Sequence, residues 1–280
     1  MKKNQVNFFD KNLFFDLIKI SGVIGTILGL LVVFDYKKIW HFIIIACIIL
    51  GLVIYNFIAV YRANHLDRIS LKINESKVNI YYGDIFEQKG FKVIPFNEYF
   101  DTIVDDEIIS RKSLNGIYIN EYCPVSINQL NQNISNDNRV KDATNRLNPN
   151  RVKGNKKKYH IGTIHKKKDY FLAAFSKFDD QNRANILMRE YVEFFGRFWD
   201  NIDQLYNNTS VSIPLIGSDI TRRSDFKEAP HQELLEVIIW TFNISRVTIS
   251  EPQELNIVLH ENEKNHINLF KIKKRWIQKI

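Results

Sequence analysis

Residues Val211–Arg223 read V-S-I-P-L-I-G-S-D-I-T-R-R: an apolar stretch, then a turn of small and polar residues, then two arginines. A second stretch, Val78–Phe86, has a similar order and reads V-N-I-Y-Y-G-D-I-F. Small residues directly after a buried strand let backbone N–H groups approach a phosphate. Because an open α/β sheet gathers such turns at the carboxyl ends of its strands, the two stretches predict a ligand site there.

Apolar stretches of strand length recur along the chain and are rich in Val, Ile, Phe and Tyr, which favour β-structure. The predicted strands are Ile69–Ile73, Val78–Tyr82, Phe91–Phe96, Tyr170–Phe175, Val211–Ile216, Arg246–Ser250 and Asn256–Leu259. Helical periodicity separates them over Asp179–Leu205 and, after Pro230, over His231–Phe242. Strands that alternate with helices predict a three-layer α/β/α domain with a mostly parallel sheet. Aromatic residues at helical spacing are then predicted to lie in the core: Phe194, Phe195, Phe198 and Trp199.

The N-terminal part contains two long apolar runs, Leu17–Phe34 and Ile39–Tyr61. Each has about the 20 residues that a helix needs to cross a bilayer. We therefore expect a transmembrane helical hairpin in residues 1–63, with spans at about 17–34 and 39–61. A soluble domain in residues 64–280 is expected to follow. Lys and Arg are in excess outside the two runs, so both chain ends and the soluble domain are expected in the cytoplasm.

Small residues lie near one face of the first apolar run, at Ser21, Gly22, Gly25 and Gly29. Such a face lets helices pack closely in lipid, either between subunits or within the hairpin. The C-terminal stretch Glu261–Ile280 is predicted to form a basic amphipathic helix. This helix has two open interpretations, since helices that lie on a membrane and helices that dock against a domain share the pattern.

The chain carries a formal net charge of +8, which suggests an anionic partner such as a membrane surface, nucleic acid or a phosphate-bearing ligand. Cytoplasmic Lys and Arg of a membrane protein produce the same excess. Lysine runs at 156–158 and 166–168 suit a solvated hairpin or edge strand, and no nucleic-acid-binding motif accompanies them. The two cysteines and seven scattered histidines suggest neither a disulfide framework nor a metal site.

Several residues at the predicted strand ends have the chemistry to bind a nucleotide. Asp84, followed by Ile85, can accept a hydrogen bond from an adenine amino group, and Arg222 and Arg223 can add charge-assisted phosphate contacts. Backbone groups in two turns are expected to hold phosphates: Ser113, Leu114, Asn115 and Gly116 in one, and Gly217, Ser218, Asp219 and Ile220 in the other.

The order of these pieces resembles a macro domain, the ADP-ribose-binding α/β/α fold. The resemblance is carried by Gly83-Asp84-Ile85, by the strand Phe91–Asn97 and by Ile213–Asp219, and it covers roughly residues 69–259. With two N-terminal spans, the chain resembles the membrane effector of type II Thoeris, a bacterial anti-phage system. The resemblance implies that a partner TIR-domain protein makes an ADP-ribose-derived signal from NAD.

The same resemblance implies a response of the membrane part to ligand binding. The effector, a multi-pass protein of the bacterial inner membrane, would oligomerise and disrupt that membrane, giving abortive infection. The resemblance also implies that Asn97 and Asp101 face the distal ribose or its substituent.

The chain departs from macro-domain hydrolases at three places. An N-A-A-N-like stretch is replaced by Asn97-Glu98-Tyr99-Phe100-Asp101, and a glycine-rich loop by Ser113-Leu114-Asn115-Gly116. Asp219 stands where glycine is usual in the second phosphate turn. We therefore expect binding without catalysis, no catalytic residue, no cofactor and no metal. Two alternatives stay open: a membrane-tethered ADP-ribosyl hydrolase and a non-catalytic membrane scaffold.

Overall fold

The computed structural model describes residues 5–31, 38–142, 144–179, 184–218 and 230–277. The chain divides into two compact units, Met1–Ile69 with Asn265–Ile280, and Ser70–Lys264. The predicted domain of residues 64–280 differs from this division at its C-terminal end. The last helix belongs to the helical unit.

The helical unit contains α1 (Lys11–Leu31), α2 (Lys38–Asn64) and α8 (Leu269–Ile277). In the described part of the chain, one helical segment is long and apolar enough to cross a membrane, Phe42–Asn64 within α2. The other predicted span lies in α1, which begins before that span and carries Asp16 and Lys19 in its first half. Residues 32–34 of that span lie outside the described residues.

The helix α8 packs within the helical unit. This differs from both interpretations of its sequence, in which the helix lies on a membrane or docks against the soluble domain. Phe270 packs against a cluster formed by Val6, Leu13 and Ala63. Asn268 donates a hydrogen bond to Asn64 at 3.2 Å. Apolar residues on one face of α8 are buried, namely Leu269, Ile272 and Trp276. An amphipathic pattern predicts that such a face is covered but does not say by what.

Among its described residues, the α/β unit has an eight-stranded sheet. Its strands are β1 (Arg68–Ile73), β2 (Ser76–Tyr82), β3 (Phe91–Asn97), β6 (Ile164–Lys167), β7 (Tyr170–Phe178), β8 (Ala184–Asn185), β9 (Val211–Pro214) and β10 (Glu254–Leu259). They lie in the order β1-β2-β10-β9-β3-β7-β6, with β8 beside β7. The neighbours from β2 to β7 in this order pair in parallel, and β6 runs antiparallel to β7. The predicted mostly parallel sheet is confirmed, and a separate antiparallel hairpin joins β4 (Thr144–Leu147) to β5 (Lys157–Tyr159).

Helices cover both faces of the sheet, as predicted. The helices of this unit are α3 (Leu114–Ile117), α4 (Ile127–Asn136), α5 (Asn138–Asp142), α6 (Met188–Leu205) and α7 (His231–Ser245), with a π-helix at Tyr118–Tyr122 and a 3₁₀ helix at Glu261–Asn265. On one face, Ile94 and Leu172 of the sheet pack with Leu130 of α4. On the other, Phe175 of β7 meets Phe194 of α6 edge-to-face. Alternating side chains of the strands thus fill two cores, which is the three-layer arrangement.

Two predicted elements need correction. The aromatic residues of α6 are fully buried, as predicted, but this helix begins at Met188 and not at residue 179. Glu190 accepts a hydrogen bond from the Leu187 backbone N–H at 2.8 Å and closes the first turn there. The predicted strand Arg246–Ser250 is irregular, since Arg246 ends α7 in the left-handed conformation.

Candidate functional site

A cavity of about 370 Å³ lies at the carboxyl ends of the parallel strands, where the turns after β2 and β9 meet. It is lined by eight of the predicted ligand residues: Asp84, Ile85, Asn97, Ser113, Leu114, Asn115, Gly217 and Ser218. Asp101 and Gly116 are not in its wall. The remaining four predicted residues lie outside the described residues: Asp219, Ile220, Arg222 and Arg223. One edge of the sheet therefore brings together residues that are far apart in sequence.

The turn after β2 presents the Asp84 carboxylate at one end of the cavity. Gly83 N–H donates to the carbonyl of Leu259 at 2.9 Å, which ties the turn to β10. Asp84 Oδ1 accepts from Phe86 N–H at 2.8 Å, an arrangement that stabilises the turn. Among the described residues, Oδ2 of Asp84 has no partner, and the side chain is exposed. This oxygen is therefore available to accept a hydrogen bond from a ligand.

The loop before α3 reaches the cavity through Ser113 and its neighbours. Ser113 Oγ caps α3 by accepting from Gly116 N–H at 3.3 Å. Gly116 itself is buried, and an added Cβ would lie 2.1 Å from the Ser110 carbonyl oxygen. It does not line the cavity, and its phosphate contact stays a prediction. The glycine is needed because two backbone segments approach each other there.

The turn after β9 is held in place by a hydrogen bond from Tyr191 of α6. The Tyr191 hydroxyl donates to the carbonyl of Ile216 at 2.9 Å. Burial raises the pKa of Tyr191 well above its ordinary value, so this hydroxyl stays a donor. Gly217 has a φ of +88°, a conformation that glycine adopts without strain. The turn is thus fixed with its next residue, Ser218, at the cavity wall.

Asn97 ends β3 at a local irregularity of the sheet. The pairing with β7 shifts between Phe96 and Asn97, so that Asn97 stands opposite Ser176. A shift of this kind re-aims a side chain, and here it accompanies the entry of Asn97 into the cavity wall. The Asn97 side chain is 2% exposed and hydrogen-bonds to Asp101 behind it.

Asp101 is fully buried in an ion pair with Arg151. Its predicted role facing the ligand is therefore not supported, because both carboxylate oxygens are engaged away from the cavity. Oδ1 accepts from Arg151 Nη1 and from Asn155 N–H, while Oδ2 accepts from Arg151 Nη2 and Asn97. No sequence pattern pointed to Arg151, which lies in the polar region between two predicted strands.

Residues after β10 also line the cavity, although the sequence interpretation did not select them. They are His260, Asn262 and Glu263. Glu263 is 4% exposed, and its Oε2 lies 2.6 Å from His231 Nδ1 at the start of α7. Polar residues that directly follow a parallel strand are expected at the ligand edge of the sheet. This criterion, which selected the other turns, could also have selected these three residues. Within the described ranges, no group of three His, Cys, Asp or Glu is placed to hold a metal ion.

A second, more polar cavity of about 310 Å³ has Glu98, the neighbour of Asn97 in sequence, in its wall. Glu98 is 1% exposed and pairs with Lys158 at 2.9 Å. Burial raises the pKa of the Glu98 carboxyl, and the hydrogen bond from Lys158 opposes that rise. Paired charges make up much of this wall, since Lys177 and Glu190 lie 2.6 Å apart there.

The α/β unit is thus a mostly parallel sheet between two helical layers, with a cavity at the carboxyl ends of its strands. The Oceanobacillus iheyensis macrodomain with ADP is 14% identical, with a TM-score of 0.48, over 76% of this chain and 98% of that one. The same macrodomain with MES bound is 15% identical, with a TM-score of 0.45, over 76% of this chain and 98% of that one.

A family model described as Thoeris protein ThsA, Macro domain, matches residues 78–260. Thoeris protein ThsA of Bacillus amyloliquefaciens (strain Y2) is 42% identical over 235 residues, which are 82% of this chain and 78% of that protein. The chain therefore belongs to the Thoeris ThsA macro-domain family.

Proposed function

We propose that this protein is a membrane-anchored effector of bacterial anti-phage defence whose macro domain binds an ADP-ribose-derived signal. The observation that carries the proposal is the cavity at the strand ends, which extends from Asp84 to Asn97. Strands β10 and β9 separate β2 from β3, so these two residues lie at the ends of strands about 14 Å apart, taking ~4.8 Å per spacing. A ligand that reaches both must be long, as an adenine nucleotide with a further sugar is.

Binding without turnover is supported by the chemistry of the site. Asp101 is held by Arg151 and Asn155, so its carboxylate is not free to activate a water. Gly116 serves close packing against Ser110, and the loop has no other glycine. These features support a receptor that does not turn its ligand over, and we propose that the ligand is a signal made from NAD by a TIR-domain protein.

The membrane part of the proposal is a two-helix hairpin made of α1 and α2, in the bacterial inner membrane with the macro domain in the cytoplasm. Its oligomerisation is supported by the small-residue face of α1. A Cβ added to Gly22, Gly25 or Gly29 would meet nothing within 4 Å among the described residues. This face is open, which favours packing between subunits over packing within the hairpin. Signal binding would favour the assembled state, and clustered hairpins would disrupt the bilayer.

The test uses the purified full chain in detergent. Calorimetric titration with ADP-ribose, and with the products of a TIR-domain protein acting on NAD, measures binding, and analysis of the recovered ligand measures turnover. Binding without turnover supports the receptor. Release of ADP-ribose from an ADP-ribosylated protein would instead identify a hydrolase, and the absence of any binding would leave a membrane scaffold.

Membrane disruption has its own assay. The full chain is reconstituted in liposomes that contain a self-quenched dye, and the ligand that bound in the titration is added. Dye release that depends on this ligand supports the effector. Liposomes that stay sealed with ligand bound would separate sensing from membrane damage and contradict the second half of the proposal.

A further inference from the structure

Arg151 makes a two-pronged, buried contact with Asp101. Nη1 donates to Asp101 Oδ1 at 3.0 Å and Nη2 donates to Oδ2 at 2.6 Å. The two side chains are 4% and 0% exposed. The guanidinium also lies over the Tyr99 ring, 4.0 Å from its centroid. The planar guanidinium fork of arginine can pair with a carboxylate through two N–H groups and stack on an aromatic ring at the same time, which the ammonium group of lysine cannot do.

Asp101 in turn fixes the amide of Asn97. Asn97 Nδ2 donates to Asp101 Oδ2 at 2.9 Å, and Asn97 Oδ1 accepts from the backbone N–H groups of Tyr99 at 3.0 Å and Asp101 at 3.2 Å. The two backbone donors decide which end of the amide is oxygen. They also use both lone pairs of Oδ1, so the group that Asn97 can still offer is its second Nδ2–H.

We propose that Arg151 is a positioning residue of the ligand site, which holds Asn97 through Asp101 so that the amide presents one N–H donor and no acceptor to the cavity. The ligand group that meets Asn97 is then a hydrogen-bond acceptor, such as a hydroxyl, carbonyl or carboxylate oxygen. This inference rests on the proposed function, because it concerns the same cavity.

The positions of Asn97 and Asp84 in the sheet also indicate which part of the ligand contacts the positioned amide. Asn97 is the last residue of β3, and Asp84 follows β2, which β10 and β9 separate from β3 in the sheet. A ligand whose adenine meets Asp84 therefore reaches Asn97 with its far end. ADP lacks the second ribose of ADP-ribose and ends before that point. Loss of the positioning should weaken ADP-ribose and leave ADP unchanged.

The experiment measures dissociation constants of ADP-ribose and ADP for the full chain in detergent. Arg151→Lys keeps the charge but loses the fork, and we expect about tenfold weaker ADP-ribose binding, near 1.4 kcal/mol, with ADP unchanged. In an Asn97→Ala background, Arg151→Lys should cause no further loss, because the amide that it positions is gone. Arg146→Lys, at an exposed arginine of β4 in the same hairpin, is the matched control and should change neither constant.

Three outcomes would overturn the inference. Equal weakening of ADP and ADP-ribose, or a full tenfold further loss in the Asn97→Ala background, means that Arg151 supports the fold alone. Tight ADP-ribose binding by Arg151→Lys means that the fork is not needed. If the wild-type chain binds neither ADP-ribose nor the products of a TIR-domain protein, the proposed function fails and this inference fails with it. The outcomes above overturn the inference alone, because in them the wild-type chain still binds. Should Arg151→Lys not fold, Asp101→Asn has nearly the same shape and carries the same expectations.

Discussion

Gly116 lies so close to Ser110 that a Cβ added to the glycine would be 2.1 Å from the Ser110 carbonyl oxygen. The same Cβ would lie 3.2 Å from Arg111 Cα, so the backbone of two adjacent residues occupies the space that a side chain would need. Real Cβ atoms do not approach backbone to 2.1 Å, and backbone cannot move aside as a flexible side chain does. This contact holds the loop that carries Ser113 and Asn115 to the cavity wall.

Replacement of Gly116 by alanine is therefore expected to displace this loop and weaken ADP-ribose binding at least tenfold, and to lower the unfolding free energy by about 1–3 kcal/mol, as in overpacked cores. The matched control is Gly196→Ala, on α6 and outside the cavity wall, where an added Cβ would meet nothing within 4 Å among the described residues. Calorimetry and thermal unfolding of both variants check the prediction. Unchanged binding by Gly116→Ala would show that the loop does not contribute to the site.

Replacement of Asp84 by asparagine tests the adenine end of the cavity. The variant keeps an Oδ1 that can accept from Phe86 N–H, but it replaces the available carboxylate oxygen by a donor. A hydrogen bond to a charged group contributes about 1.5–3 kcal/mol, so ADP-ribose and ADP should both bind roughly 10–100-fold more weakly. Glu87→Gln, at an exposed acid outside the cavity wall, is the control. Full affinity in Asp84→Asn would show that adenine recognition lies elsewhere.

The buried histidine of β6 predicts a pH dependence of stability. Burial lowers the pKa of His165 from 6.5, although the hydrogen bond to Asp137 at 2.8 Å opposes this shift. The unfolded chain therefore binds a proton at this histidine more readily than the folded one. The contribution of neutral His165 to the unfolding free energy is fully present above about pH 6.5 and is lost as the pH drops toward the folded pKa. His165→Asn retains a donor for Asp137 but does not titrate.

Chemical denaturation of the full chain at about pH 7.5 and at about pH 5.5 checks the predicted pH dependence. The two pH values lie on either side of the ordinary histidine pKa. The loss of stability on acidification should be smaller in His165→Asn than in the wild type. His160→Asn, at a partly exposed histidine, should keep the wild-type loss. An identical loss in all three proteins would refute the assignment to His165.

The open glycine face of α1 predicts a specific defect in assembly. Gly25→Leu places a large side chain on a face where nothing lies within 4 Å among the described residues, so the single chain can accommodate it. Subunits that pack through this face cannot, because close approach of helix backbones requires small residues. Crosslinking in liposomes with ligand present should show fewer oligomers, with ligand affinity unchanged. Gly51→Leu, at an equally open glycine of α2, is the control.

Most of the sheet could be predicted from the sequence because its strands are local signals. Val78–Tyr82 and Phe91–Phe96 are short, apolar and rich in β-branched and aromatic residues, and both are strands in the structure. Arg246–Ser250 has a similar composition but is irregular, because Arg246 ends α7 in a left-handed conformation that composition does not reveal. The turns after β2 and β9 were found by the same local reasoning and both line the cavity.

The sequence by itself determined the alternation of strands and helices, the buried face of α6 and the polar turns at the strand ends, since each depends on residues close together in the chain. Tertiary structure alone decided that Arg151 binds Asp101, 50 residues away, and that α8 packs on Val6, Leu13 and Ala63. A basic residue in a polar loop and an amphipathic helix each have many possible partners. Which partner is met depends on the surfaces that the rest of the chain brings within reach.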